Sequence, residues 1–202
     1  MRLERLDAAA LTRLYEGELV RAFPPSELKP LKSMLTLMEQ DRYEALGMFD
    51  ETGMHGYALT WLEPGVPFAL LDYFGTLEGQ RGTGLGSQML ALLAEHYKDY
   101  RGIFGEAEGA FSPDPDERSL QQRRLDFYYR NGFRYGGYHC ALFGVHYLTL
   151  IRGDGDVTAG ELLDAHQRIY KSGIPPKAYD RFIQLPLLPG EEVRVPTDWK
   201  ED

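Results

Sequence analysis

The chain has 202 residues, 43% of them apolar and 26% charged, with 22 basic against 31 acidic side chains and a net charge of −9. That is the balance of one soluble globular domain with room for a core, and it excludes disordered, collagenous and coiled-coil classes. An acidic excess argues against a nucleic-acid partner, which needs a basic face, and is compatible with a cationic substrate. No apolar run is long enough for a transmembrane helix, so no membrane partner is expected. Acids in the opening stretch Met1-Arg2-Leu3-Glu4-Arg5-Leu6-Asp7 stand where a secretory leader would be basic and then apolar, and a cytoplasmic chain is expected. The single cysteine, Cys140, allows no intrachain disulfide and no multi-cysteine metal site.

Apolar positions at Ala10, Leu11, Leu14 and Leu19 predict a helix over 7–20. Ser26 is placed to cap a second helix carrying Leu31, Met34, Leu35 and Met38. Residues 43–49 and 55–63 read as a hairpin around the turn Asp50-Glu51-Thr52-Gly53. The nearly continuous apolar run over 67–77 reads as a strand buried on both faces. A glycine-rich loop at 79–87 then opens a helix with Met89, Leu90, Leu93 and Tyr97 on its apolar face. A strand at 102–107 and a loop at 109–117 follow. A helix from Glu117 to Asn131 stops at Gly132. Phe133 to Phe143 and Val145 to Ile151 predict an antiparallel pair. Thr158-Ala159-Gly160-Glu161 is a capping box that starts a helix through Tyr170, and the chain beyond Gly173 reads as Pro-rich and mostly irregular.

The glycine loop carries the chemistry. Arg81-Gly82-Thr83-Gly84-Leu85-Gly86-Ser87 lies between a strand and a helix. Glycines there let the backbone turn tightly, and the amides at a helix start form an anion site, so a phosphate-bearing ligand is implied. A P-loop would need a lysine between Gly86 and Ser87. A dinucleotide fingerprint would place the third glycine one residue later, on the first strand of a βαβ array. A glycine-rich turn without a ligand is the remaining structural reading.

Arg-Gly-x-Gly-x-Gly after an apolar strand, followed downstream by Phe127-Tyr128-Tyr129-Arg130-Asn131-Gly132-Phe133, resembles the GNAT superfamily of acyl-CoA-dependent N-acetyltransferases. The resemblance covers residues 1–151 in element order. Residues 152–202 lie outside it and are expected to be a C-terminal helix and Pro-rich extension packed on the same domain. It implies a mixed α/β fold: a GNAT-like central sheet, mostly antiparallel, with a parallel β-α-β crossover and helices on both faces. It also implies transfer of the acetyl group of acetyl-CoA to a primary amine by direct attack, the amine expected to belong to a small molecule. The amides of Gly82, Thr83, Gly84, Leu85, Gly86 and Ser87 would bind the CoA pyrophosphate, with Arg81 adding charge. The backbone of Phe74 and Thr76 would pair with pantetheine and polarise the thioester carbonyl. Tyr128 would protonate the leaving thiolate, with core packing as its competing role. Tyr129 is assigned to packing, and Arg123 and Arg124 to either the CoA phosphates or the acidic loop.

The amine must lose a proton, because a free alkyl amine is mostly protonated at neutral pH. Asp72 is the first candidate base: it interrupts an apolar strand, and alternation puts it on the side of Leu70 and Phe74. A buried aspartate satisfied by a neighbouring donor is the competing reading. Glu106 and Glu108 point to one face of the next strand and are candidates for a base or an ammonium-binding pair. With Asp114, Asp116 and Glu117 they make an acidic segment that would draw a cation. The five histidines show no metal spacing, and no metal is expected. Cys140 reads as core. The helix over 158–171 is read as covering the acceptor cleft or making a homodimer contact. The rival functions are a non-catalytic acyl-CoA-binding or regulatory module, which would not depend on Asp72, Glu106 or Tyr128, and a nucleotide-binding module.

Overall fold

The computed structural model describes residues 1–80 and 82–195, with Ser26 described by its backbone alone. They form two compact units, residues 1–65 with 69–99, and residues 66–68 with the chain from 100 onward. Both are mixed α/β, the class the sequence implies.

The first unit opens with an unexpected short strand, β1 (Arg2–Arg5). Of its residues only Leu3 is even half-buried, so it carries almost no apolar signal. Asp7 caps α1 (Ala8–Leu14), its carboxylate accepting the Ala10 N–H at 2.7 Å. One π-helical turn (Tyr15–Leu19) carries the helix on into α2 (Val20–Ala22). Leu11, Leu14 and Leu19 are buried, as the spacing predicted. Ser26 does not cap the next helix. It lies in a 3₁₀ turn (Pro25–Glu27), and α3 (Leu31–Glu39) starts only after Pro30, which holds the N-cap position without a side-chain bond. The predicted hairpin is β2 (Tyr43–Asp50) and β3 (Gly53–Trp61), and β1 pairs with β2 antiparallel. Strand β4 (Phe68–Thr76) pairs antiparallel with β3, and α4 (Leu85–His96) follows.

A bulge in β4 matters most for the site. Leu59 is opposite Tyr73 and Thr60 is opposite Leu71, which leaves Asp72 as the extra residue. Alternation is reset there. Asp72 and Tyr73 both reach the 27–29 segment, on the face of Tyr43 and Trp61. Phe74, opposite Ala58, falls on the other face with Thr60. The expected common side for Asp72 and Phe74 is therefore wrong, because the inserted residue shifts everything after it by one.

In the second unit, β5 (Gly102–Glu108) leads to α5 (Pro115–Arg130). The helix starts two residues ahead of the expected Glu117, because Pro115 suits the first helical position and Asp114 caps the Asp116 N–H at 2.9 Å. Strands β6 (Arg134–Leu142) and β7 (Val145–Gly153) form the predicted pair, and β7 also pairs antiparallel with β5. The capping box is present at the start of α6 (Ala159–Gly173), with Arg101 donating to Glu161 at 2.8 Å. These bonds hold the Glu161 carboxyl down at about 2. Residues 176–187 are not irregular: they form α7 (Pro176–Phe182) and β8 (Ile183–Leu187), and β8 pairs antiparallel with β6, while 188–195 carry no helix or strand. Pro176 sits in the first turn of α7, so its proline starts a helix rather than breaking one.

A buried carboxylate ties α4 to β2. Glu44 accepts the Tyr97 hydroxyl at 2.5 Å and pairs with His96 at 2.9 Å and with Arg5. Tyr97 and Thr60 share a further hydroxyl bond at 2.5 Å. Glu44→Ala leaves these groups without their acceptor and is expected to lower stability by about 3 kcal/mol in urea unfolding. A loss below about 0.5 kcal/mol would show the network to be a surface decoration.

Candidate active site

Residues 79–87 lie in the first unit. Gly82 and Gly84 have φ of +78° and +82°, values that side chains rarely adopt. Gly84 is the N-cap of α4 and makes no side-chain capping bond. The first amides of any α-helix have no acceptor within it. Here these are Leu85, Gly86 and Ser87, since the first helical bond is Gln88 N–H to Gly84 O at 3.2 Å. A Cβ at Gly82 or Gly84 would meet nothing within 4 Å, so the loop backbone is open on that side. Thr83 turns its hydroxyl inward, onto the Gln80 carbonyl at 2.7 Å. Arg81 lies outside the described residues.

The approach to the loop is fastened by a residue the sequence did not single out. His55 bonds Gln80 Oε1 through Nδ1 at 2.7 Å and Asp50 Oδ1 through Nε2 at 2.7 Å. The bond to Asp50, then that to Gln80, raises the His55 pKa above its usual value, and the Asp50 carboxyl is lowered in return.

Asp72 is engaged. Its Oδ2 accepts Lys29 Nζ at 2.6 Å and the Tyr43 hydroxyl at 2.5 Å. Burial, reinforced by the Asp72 charge, keeps the Tyr43 phenol protonated far above its usual range. Lys29 Nζ also lies 3.9 Å from the Trp61 ring centroid. The interrupted apolar run had signalled that Asp72 needed a partner; nothing in the sequence said that Lys29 would reach it.

Glu106 lies in the second unit and is also engaged. Its Oε1 accepts from His166 Nε2 at 2.7 Å and from the Tyr170 hydroxyl at 2.8 Å. His166 Nδ1 meets the Tyr138 hydroxyl at 3.0 Å. Burial alone would raise the Glu106 carboxyl, but the charge on His166 and the two hydrogen bonds bring it below the usual 4.5. So α6 covers Glu106 and supplies its partners. Sequence reading missed His166 and Tyr170 because they are one helical turn apart, which looks like core packing.

Glu108 is bonded instead by Gln121 at 3.0 Å and Arg124 at 3.0 Å, both on α5. That assigns Arg124 to the acidic segment. Arg123 bonds the Ser119 carbonyl at 3.3 Å. Glu117 accepts the Ser112 hydroxyl at 2.5 Å and Asp114 caps α5, so much of the acidic segment is committed locally.

Tyr128 is half-buried near the C-terminal end of α5 and stacks edge-on to Phe133 at 5.2 Å. Burial pushes its phenol up to about 12, a rise that Arg124 opposes and Glu106 reinforces. The phenol is therefore protonated across the neutral range. Tyr129, expected to pack, is 41% exposed. Cys140 is buried in β6, and burial raises its thiol pKa, which suits a core residue. Among the described residues no group of three or more His, Cys, Asp or Glu is placed to hold a metal ion, and no helix is long and apolar enough to cross a membrane.

No protein-family model matches the sequence, and no curated protein matches it. Solved structures do match. One described as a GNAT-family acetyltransferase from Bacteroides thetaiotaomicron is 20% identical, with a TM-score of 0.68 over 86% of this chain and 98% of that one. A spermidine N-acetyltransferase chimera from Vibrio cholerae is 10% identical, with a TM-score of 0.56 over 76% and 96%. A Bacillus subtilis acetyltransferase in complex with CoA is 12% identical, with a TM-score of 0.50 over 76% and 98%. The fold is that of the GNAT acetyltransferases.

The folded-state pKa of Glu106 is lowered, so its ionised form stabilises the protein above pH 4.5 and that contribution is lost as the pH falls through the folded value. Glu106→Gln is expected to lower Tm at neutral pH and to flatten the acid limb of Tm against pH. An unchanged acid limb would mean that the bonds from α6 do not favour the charged form.

Proposed function

We propose that this chain, which has the GNAT acetyltransferase fold, is a cytoplasmic acetyltransferase that moves the acetyl group of acetyl-CoA onto a primary amine of a small molecule by direct attack. The observation that carries the reading is the start of α4. A left-handed glycine N-cap with no capping side chain leaves the amides of Leu85, Gly86 and Ser87 for an anionic ligand, and helix starts attract phosphate. The CoA pyrophosphate is the ligand proposed there. The similarity to a fold solved with CoA supports that choice.

In this reading the backbone of Phe74 and Thr76 on β4 runs beside the pantetheine arm, and one N–H polarises the thioester carbonyl. Asp72 takes the proton of the amine; it already accepts a hydrogen bond from a primary ammonium, that of Lys29. Glu106 and Glu108 add negative charge for a cationic acceptor, and His166 and Tyr170 keep Glu106 ionised. Tyr128 gives a proton to the departing thiolate; because a CoA-type thiol is the stronger acid in water this transfer runs uphill, and it is drawn forward by loss of the thiol product and reprotonation of the phenol from solvent.

One observation favours a second reading, an acyl-CoA-binding module without turnover: both candidate carboxylates, Asp72 and Glu106, already hold partners. A thiol-release assay with acetyl-CoA and a panel of primary amines separates the two. Enzyme is expected to release CoA thiol only when a suitable amine is present, whereas a binding module would be thermally stabilised by acetyl-CoA and release none.

Tyr128→Phe is expected to lower kcat by about 10²-fold or more with KM for acetyl-CoA little changed. An undiminished kcat would remove Tyr128 from the chemistry. Gly84→Val puts a β-branched residue at φ +82° beside the amides and is expected to raise KM for acetyl-CoA steeply while far-ultraviolet circular dichroism stays parental. A parental KM would overturn the loop assignment.

A further inference from the structure

Lys29 is held unusually firmly for a lysine. Its ammonium is 2.6 Å from Asp72 Oδ2, 3.9 Å from the Trp61 ring centroid and 5.1 Å from that of Tyr43, and its side chain is 16% exposed. The backbone is pinned as well. The Lys29 N–H donates to the Tyr73 hydroxyl at 2.7 Å, and that hydroxyl donates to the Glu27 carbonyl at 2.7 Å. The β4 bulge makes both anchors possible, because it turns the consecutive residues Asp72 and Tyr73 toward the same segment. By contrast, Lys32, Lys98, Lys171 and Lys177 are exposed.

We propose that Lys29 is a modification site: the protein transfers an acetyl group from a bound acetyl thioester to its own Lys29 Nζ, with Asp72 as the proton acceptor. This rests on the reading that β4 carries the acyl-CoA arm. Asp72 removes one proton from the ammonium and passes it to solvent. The freed lone pair attacks the thioester carbonyl carbon, the N–C bond forms and the C–S bond breaks. The second proton lost from nitrogen ends on the sulfur. Lysine ammonium and acetyl thioester thus become acetyl-lysine, CoA thiol and one released proton. Acetylation removes the charge that pairs with Asp72 and stacks on Trp61, so the product loosens the 27–29 segment from β4.

Site-resolved peptide mass spectrometry after incubation with isotope-labelled acetyl-CoA tests this. Chemical acetylation in solution favours exposed lysines, which serve as internal controls. Lys29 is expected to label at least about tenfold faster than Lys32, Lys98, Lys171 and Lys177. Gly84→Val and Asp72→Asn should each slow Lys29 and leave the exposed lysines unchanged. Lys29→Arg keeps the charge and the ring contact and should abolish the labelled peptide without unfolding the chain. Labelling of Lys29 no faster than the exposed lysines, or at the parental rate in Gly84→Val, overturns the proposal. If amines in solution are acetylated while Lys29 stays unlabelled, this proposal alone falls. If no acetyl-CoA is bound, the reading beneath it falls as well.

Discussion

Helix α4 begins on a backbone conformation that only glycine adopts cheaply, and its N-cap, Gly84, makes no side-chain capping bond. That constraint organises the first unit. An uncapped helix start exposes several donors pointing one way, an arrangement that is poor for stability on its own and good for holding an anion. The far end of the same helix is fixed by the Glu44 network with Tyr97 and His96. His55 fastens the loop approach through Gln80. The helix is thus held at its C-terminal end and on the way in.

The acidic side chains fall into a common pattern. Glu44, Asp72 and Glu106 are all largely buried, and each is met by a cation or histidine together with a tyrosine hydroxyl. Removing a carboxylate from water is expensive, and paired donors offset that. The same pairing changes what each can do. Glu44 joins elements. Glu106 is held ionised beneath α6. Asp72 is the one whose partner is a primary amine, which gives it both a structural and a chemical reading.

Much of this was legible in the sequence. The hairpin, the glycine loop, the capping box at Thr158 and the end of α5 at Gly132 each follow from local rules of periodicity, turn chemistry and capping, and they stand in the structure. What was not legible is non-local. The bulge at Asp72 adds one residue to one strand, and no pattern within β4 reveals it, yet it decides which face Asp72 and Phe74 occupy. The partnerships Lys29–Asp72 and His166–Glu106 join residues far apart in the chain. Strand β8 and helix α7 were hidden behind prolines that elsewhere mark irregular chain. Strand β1 was hidden by its exposure.

Isothermal titration with CoA tests the central claim most directly, since it reads the open helix start without requiring turnover or a known acceptor. A single saturable site, competed by inorganic pyrophosphate, is what an anion seat at Gly84 to Ser87 predicts. A flat titration with CoA in large excess over the protein, the protein staying folded throughout, would contradict it.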